Sequence, residues 1–234
     1  MLQLPRLYPI VDPACFHEVS EMFAAAEELA AAGCTLLQYR NKSGNARLML
    51  DHARELRTRL GARADPELPR SPATAELRSA WTGEGARSHT STSVKLIMND
   101  RADLCLAASF DGVHVGQDDL SPEAVRKILG GALFMGVSTH NAEQLAEADR
   151  TSADYLAIGP VFATGSKENP DPVVGLEGVR RARELTRKPL VAIGGITRGN
   201  ARSVLDAGAD SVAVISDLIR DPGKSAEEFL RVLG

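Results

Sequence analysis

The sequence alternates short apolar runs with helix-forming segments eight times, and this alternation constrains the fold more than any other feature. The runs are apolar on successive residues, as expected for strands that are buried on both faces. Each run is followed by a segment with helical composition or with helix start and stop signals. The predicted strands are residues 7–11, 35–39, 94–98, 112–115, 133–137, 155–158, 190–193 and 211–215. The predicted helices are residues 18–32, 45–60, 101–109, 121–129, 142–149, 176–185, 200–206 and 226–233.

Eight strand-helix units predict an α/β fold, a (β/α)8 TIM barrel that forms a single domain over residues 1–234. A doubly wound open sheet is the alternative, but no G-x-G-x-x-G fingerprint follows the first strand. Residues 61–93 interrupt the pattern, because they lack periodicity and are rich in Pro, Ser, Thr, Ala, Arg and Gly. We predict that they form a flexible inserted loop of low complexity after the second helix. A surface insertion is favoured over a lid.

Composition excludes several classes of function. A net charge of −4 and a pI near 5.8 give no general attraction to nucleic acid or to anionic membranes. The three cysteines have no C-x-x-C spacing, which argues against a disulfide framework and a zinc site. The chain shows neither a secretory leader nor an apolar run long enough to cross a membrane. We therefore predict a cytoplasmic protein with small-molecule partners, and a homo-oligomer is left open.

Two acidic residues follow neighbouring predicted strands. Asp100 comes directly after the third strand, and Asp119 lies shortly after the fourth. If the strands are parallel, both carboxylates lie at the edge of the sheet where α/β proteins bind ligands. One such Asp is more often a helix cap, but two suit Mg²⁺, which takes one or two carboxylates plus substrate phosphates. The sequence therefore predicts a magnesium site at this edge.

The polar residues that follow the other strands favour the binding of anions. Arg40, Lys42 and Lys167 suit a phosphate or pyrophosphate. The pair Gly194-Gly195 and the backbone after Ile215 match the phosphate site that TIM barrels form after strands seven and eight. The other polar candidates at this edge are Gln38, Asn99, Gln117, Ser138, Thr164, Ser166 and Ser216.

The residues at this edge include no recognisable protein nucleophile. His140 is a marginal site candidate, whereas His114 lies in an apolar strand and is interpreted as a core residue. No Ser-His-Asp or Cys-His arrangement is present. Catalysis is therefore expected to depend on positioning and electrostatics.

Seven sequence blocks in order give a specific resemblance, although each alone is weak. The blocks are QYRNK (38–42), NDRADL (99–104), DGVHVGQDDL (111–120), GVSTHN (136–141), DYLAIGPVFATGSK (154–167), VAIGGI (191–196) and AGADSVAVIS (207–216). Together they resemble the thiamine phosphate synthase family, also called thiamine-phosphate pyrophosphorylase. The resemblance implies a Mg²⁺-dependent transferase that joins hydroxymethylpyrimidine diphosphate to a thiazole phosphate. Its products would be thiamine phosphate and pyrophosphate.

The resemblance also implies a role for each matching residue. Asp100 and Asp119 would bind Mg²⁺, and Lys167 would reach the pyrophosphate. The pyrimidine diphosphate would be bound by Gln38, Arg40, Lys42, Asn99 and Ser138. The thiazole phosphate would be bound by Thr164, Ser166, Gly195, Ile215 and Ser216. Arg40, Lys42, Lys167 and Ser138 are the residues expected to contribute to catalysis.

The chain also departs from the family. Tyr39 and Asn41 stand where the family commonly has Leu and Glu, and Gly165 and Ser166 stand where it has Pro and Thr. Asn41 would remove a negative charge beside the pyrophosphate, whereas Ser166 keeps a hydroxyl. Two alternatives stay open, a related thiazole tautomerase and a non-catalytic barrel that binds a thiamine-related ligand. The tautomerase relative tends to have His where this chain has Ser138, which favours the synthase.

Overall fold

The structure is a closed barrel of eight parallel strands. It is a computed structural model that describes residues 4–61, 94–165 and 171–234. The strands pair in chain order, and the first strand closes the barrel by pairing with the eighth. The TIM barrel prediction is therefore confirmed, and closure excludes the open sheet. Apart from Gly61, the predicted flexible loop at 61–93 lies outside the described residues.

The observed elements match the predicted ones closely. The strands are β1 (Leu7–Val11), β2 (Leu36–Tyr39), β3 (Lys95–Asn99), β4 (Gly112–Val115), β5 (Phe134–Thr139), β6 (Tyr155–Ile158), β7 (Leu190–Ile193) and β8 (Ser211–Val214). The helices are α1 (Val19–Ala31), α2 (Ala46–Arg59), α3 (Ala102–Ala107), α4 (Pro122–Leu129), α5 (Ala142–Asp149), α6 (Gly175–Leu185), α7 (Ala201–Asp206) and α8 (Pro222–Leu233). Short 3₁₀ turns cover Pro13–Cys15 and Ser216–Leu218. In the described ranges, every helix is too short or too polar to cross a membrane.

Several predicted boundaries differ from the observed ones, and two of the differences have identifiable reasons. Helix α8 begins at Pro222 rather than at 226, because the Asp221 side chain accepts a hydrogen bond from the Lys224 amide and Pro occupies the first turn. Strand β5 continues to Thr139, since its last residues pair with β6. Ser138 therefore lies within the strand and not after it.

Alternation along β2 decides which side chains reach the barrel interior. Leu36 belongs to the small apolar cluster inside the barrel, whereas Leu37 belongs to the larger cluster between the strands and the helices. Gln38 again points inward, where it contacts Tyr8, and Tyr39 points outward to α2. Both faces of the strand are buried, which explains why the strand sequences are apolar on successive residues.

The amino-terminal edge of the barrel, here called the lower edge, repeats one arrangement of charges. One arginine from each of the helices α2, α4 and α6 forms an ion pair with an aspartate. These aspartates directly precede β4, β6 and β8, respectively. Each aspartate also accepts a hydrogen bond from a backbone amide of the intervening strand. The ion pairs are Arg57–Asp111 (2.6 Å), Arg126–Asp154 (2.7 Å) and Arg183–Asp210 (2.8 Å), and the amides are those of Leu96, Met135 and Leu190.

Candidate active site

A cavity of about 490 Å³ opens at the carboxyl ends of the strands. All predicted site residues in the described ranges line it, although they come from seven different strands or the loops after them. These residues are Gln38, Arg40, Lys42, Asn99, Asp100, Asp119, Ser138, Thr164, Gly195, Ile215 and Ser216. Ser166 and Lys167 lie outside the described residues, so their roles stay predictions.

Asp100 and Asp119 lie within hydrogen-bonding reach of each other at one end of the cavity. Lys42 Nζ donates to Asp100 Oδ2 at 2.6 Å, and the Gly116 amide donates to Asp119 Oδ2 at 2.7 Å. Burial raises the pKa of Asp100, and Asp119 raises it further while Lys42 lowers it. Burial and the neighbouring carboxylate both disfavour the charged form of Asp100, so a cation bound beside the two carboxylates would stabilise that form.

Asp100 has an unusual backbone conformation, which directs its carboxylate toward the cavity. Its φ angle of 63° lies in the left-handed region, which few residues other than Gly, Asn and Asp adopt readily. The Asp100 amide donates to the His114 carbonyl of the neighbouring strand at 2.7 Å. The chain thus turns sharply at the end of β3 and places the carboxylate over the cavity.

Arg40 is held by a residue that the sequence reasoning did not select. The Arg40 guanidinium forms an ion pair with Asp12, which is almost fully buried and follows β1. Asp12 Oδ1 also accepts from the Ala14 amide at 2.9 Å. Asp12 occupies the same edge as the predicted residues, and this position was the signal that could have identified it.

A continuous row of hydrogen bonds forms the floor of the cavity. Gln38 Nε2 donates to the Tyr8 hydroxyl at 3.0 Å, and the Tyr8 and Tyr155 hydroxyls are 3.0 Å apart. Tyr155 contacts His114 Nδ1 at 3.1 Å, and His114 Nε2 contacts Ser138 Oγ at 2.8 Å. Burial lowers the pKa of His114 to about 4, so the imidazole is neutral near pH 7.

Gly136 makes room for this row. A side chain at that position would place its first carbon 2.1 Å from the Tyr155 ring and 2.5 Å from His114 Nδ1. His114 was interpreted as a core residue, and it is buried with both ring nitrogens bonded, but it also lines the cavity and contacts Ser138. Sequence periodicity places a residue on the inner face of a strand without saying at what height in the barrel it lies.

On the opposite side of the cavity, the described residues after β7 and β8 present mainly backbone groups. Gly195 has a φ angle of 61°, and a Cβ there would lie 2.5 Å from the Ala163 carbonyl, so the loops after β6 and β7 approach too closely for any other residue. Ser216 opens the 3₁₀ turn after β8. The Arg198 amide and guanidinium bond to Asp217 of that turn, which joins the last two loops.

His140 lies at the rim of the cavity. Its Nδ1 is 2.8 Å from the Gly159 carbonyl and 3.4 Å from Asp171 Oδ2. Its backbone amide donates to Gln144 Oε1 at 2.7 Å. These contacts join the loop after β5 to the loop after β6, so His140 is placed to shape the rim.

Similarity to known proteins identifies the family. A family model described as thiamine monophosphate synthase matches residues 70–218. The thiamine-phosphate synthase of Koribacter versatilis is 55% identical over 235 residues, which cover 99% of this chain and 97% of that protein. The chain belongs to the thiamine-phosphate synthase family.

Two further relatives agree with this assignment. The thiamine-phosphate synthase of Chloroflexus aurantiacus is 38% identical over 97% of this chain and 92% of that protein. The solved structure of a thiamine phosphate pyrophosphorylase from Pyrococcus furiosus is similar with a TM-score of 0.75 and 31% identity, over 97% of this chain and 95% of that one. The predicted family, enzyme class and activity are therefore confirmed: the chain is a transferase of thiamine biosynthesis.

Proposed function

We propose that the cavity binds the two substrates of thiamine-phosphate synthesis at its two ends, with hydroxymethylpyrimidine diphosphate beside Arg40 and Lys42 and thiazole phosphate beside Gly195 and Ser216. One observation supports this most strongly. A single cavity is lined on one side by Arg40, Lys42 and the carboxylates of Asp100 and Asp119. On the other side it is lined by the tight turn at Gly195 and by Ser216, the first residue of a 3₁₀ helix. These are two different kinds of anion site, as two phosphorylated substrates require.

The carboxylate pair fits Mg²⁺. In the described part of the chain no three His, Cys, Asp or Glu side chains converge, so a cation here would have Asp100 and Asp119 as its protein ligands. Mg²⁺ commonly keeps several waters and binds one or two carboxylates plus substrate phosphates. A divalent cation would also relieve the repulsion between the two carboxylates. When bound, it would neutralise charge on the diphosphate.

Arg40 and Lys42 would bind the pyrophosphate as it leaves. The planar guanidinium of Arg40 can donate two parallel hydrogen bonds to a phosphate, and its ion pair with Asp12 fixes its orientation. The Lys42 ammonium adds a positive charge, with Nζ 2.6 Å from Asp100 Oδ2. Lys167 belongs to the same proposal through the resemblance, as do Asn99 and Ser138. Stabilising the leaving group is the main requirement, since an electron-rich aminopyrimidine can carry positive charge on its methylene while the bond breaks.

The floor of the cavity would orient the pyrimidine. Gln38 donates its amide hydrogen to Tyr8, which leaves its carbonyl oxygen as an acceptor for an amino group. Ser138 is held by His114 in the same row. Because every member of the row is bonded to the next, these groups need little rearrangement when substrate binds.

The thiazole phosphate would lie against Gly195, Ile215 and Ser216, with Thr164 and Ser166 supplying hydroxyls. No covalent intermediate with the protein is needed. Burial raises the pKa of both Cys34 and Cys105 to about 12, so neither thiol is a nucleophile near neutral pH. The thiazole nitrogen would attack the pyrimidine methylene directly.

The test is the formation of thiamine phosphate from the two substrates, with Mg²⁺ and with EDTA. We expect product with Mg²⁺ and almost none with EDTA. Equal rates in both would overturn the metal assignment. Folded protein that binds either substrate but gives no product would favour the non-catalytic alternative, and isomerisation of a thiazole carboxylate phosphate would favour the tautomerase.

A further inference from the structure

The loop that carries Arg40 and Lys42 is joined to helix α2 by a buried polar cluster that does not line the cavity. The cluster consists of Tyr39, Asn41 and His52. Asn41 Nδ2 donates to the Tyr39 hydroxyl at 2.9 Å, and that hydroxyl lies 3.0 Å from His52 Nδ1. All three residues are buried. The cluster therefore forms a fixed support behind the loop.

The chemistry of the groups fixes one of these directions. The Asn41 amide nitrogen can only donate, so the Tyr39 oxygen accepts from it. The tautomer of His52 with its proton on Nε2 uses the Tyr39 proton as well, because Nδ1 then accepts from the hydroxyl. Asn41 Oδ1 in turn accepts from the Ser43 amide at 2.8 Å. Side chain and backbone on both sides of Lys42 are thus fixed by one cluster.

Alternation explains why the cluster can act on the substrate site without touching it. Gln38, Arg40 and Lys42 face the cavity, whereas Tyr39 and Asn41 face α2. Asn41 was expected to lie beside the pyrophosphate, but its side chain is bonded to Tyr39 and Ser43. Its effect on the site is therefore exerted through the backbone of residues 40–43.

We propose that Tyr39, Asn41 and His52 are positioning residues, which hold the loop so that Arg40 and Lys42 meet the diphosphate in the orientation that binding requires. The inference depends on the proposed function of Arg40 and Lys42. His52 is decisive, because it belongs to α2 and lies outside the cavity. His52 contacts the loop's support through the Tyr39 hydroxyl, so this hydrogen bond is the route by which His52 would affect diphosphate binding.

The first test is Tyr39→Phe in the full chain, which removes one oxygen and keeps the ring. We expect the KM for the pyrimidine diphosphate to rise about tenfold, while the KM for the thiazole phosphate stays within about twofold. Binding of inorganic pyrophosphate with Mg²⁺, measured by calorimetry, should weaken by a similar factor. The calorimetric readout is independent of turnover.

The control for general loss of stability is Thr186→Val. Thr186 is buried at the lower edge, and its hydroxyl bonds to Asp149, far from the loop. This variant also loses a buried hydroxyl, but both KM values and pyrophosphate binding should stay at wild-type level. Unfolding midpoints of the two variants show whether they are comparably destabilised.

The second test asks whether position 52 acts through its hydrogen bond to the Tyr39 hydroxyl or through the packing of its ring. His52→Leu should weaken pyrophosphate binding as Tyr39→Phe does, and His52→Asn, which restores an acceptor near the place of Nδ1, should recover most of the loss. This pair also serves if Tyr39→Phe fails to fold. The double variant Tyr39→Phe with His52→Leu should bind no more weakly than the worse single variant, because both break one unit.

The outcomes distinguish the two proposals. If the wild-type protein makes no thiamine phosphate and binds no pyrophosphate, the proposed function fails. If wild-type protein is active but the Tyr39 and His52 variants change stability alone, as Thr186→Val does, the positioning role is overturned. If the KM values for both substrates rise equally, the cluster supports the whole barrel and the positioning role is likewise overturned.

Discussion

Both edges of the barrel combine aspartates with basic residues, but the two edges use these residues for different purposes. At the lower edge three aspartates, Asp111, Asp154 and Asp210, are each bonded to an arginine and to a backbone amide. At the carboxyl-terminal edge, here called the upper edge, Asp100 is bonded to Lys42 and lies beside another carboxylate, that of Asp119. The three lower-edge ion pairs are therefore balanced within the fold. At the upper edge Asp12 is balanced in the same way by Arg40, whereas the Asp100–Asp119 pair would be balanced by a bound cation. This difference separates stability from function.

The largest expected effect is at the upper edge. Asp100→Asn should lower turnover about a hundred- to a thousandfold, because an amide cannot replace a carboxylate toward Mg²⁺ or Lys42. Asn is the right substitution because it tolerates the φ angle of 63° at this position. Initial rates at saturating Mg²⁺ measure the effect. Unfolding by urea should show unchanged or slightly higher stability, and a rate near wild type would remove Asp100 from the metal site.

The matching change at the lower edge should do the reverse. Arg57→Met should lower the free energy of unfolding by about 3 kcal/mol, since it leaves the Asp111 carboxylate in a site where both partners are nearly buried. Turnover per folded molecule should be unchanged. Urea titration with rates measured below the transition separates the two quantities. A loss of turnover without loss of stability would contradict the division between the edges.

The floor of the cavity should make stability depend on pH. The pKa of His114 is lowered by burial from an ordinary 6.5 to about 4 in the folded chain. Neutral His114 makes its full contribution to the free energy of unfolding above pH 6.5. This contribution is lost as the pH falls toward 4, because the unfolded chain binds a proton at a higher pH than the folded chain does. The loss should reach about 2 to 3 kcal/mol. Urea titrations at pH 7 and pH 4.5 should show a smaller difference for His114→Gln, and an equal difference would contradict the assignment.

The smallest effect is expected where a charge pair belongs to neither edge. Arg202 and Asp206 form an exposed pair one turn apart on α7, with Arg202 Nε 3.0 Å from Asp206 Oδ1. Arg202→Ala should change stability by less than about 0.5 kcal/mol and leave turnover unchanged, since water screens the pair. A cost comparable to that of Arg57→Met would show that the lower edge has no special energetic role.

Particular residues show how far sequence reasoning reaches into the site. Asp100, Asp119 and Arg40 could be placed together because each follows a strand, and parallel strands end at one edge. Asp12 follows a strand too, but its role became visible only in its contact with Arg40. His114 and Tyr8 could not be found in this way, since an inward residue of a strand is either packed core or cavity floor according to its height in the barrel.

The number and order of the strands and the residue types at the upper edge could be read from the sequence, because local periodicity and chain connectivity encode these properties. Closure of the sheet into a barrel, rather than an open sheet, became clear from the pairing of β1 with β8. Which side chains meet became visible only in the folded barrel. The row from Gln38 to Ser138 joins residues from five strands, and the cluster of Tyr39 and His52 joins a strand to a helix. Such contacts depend on the twist and stagger of the closed barrel, which no single segment of the chain specifies.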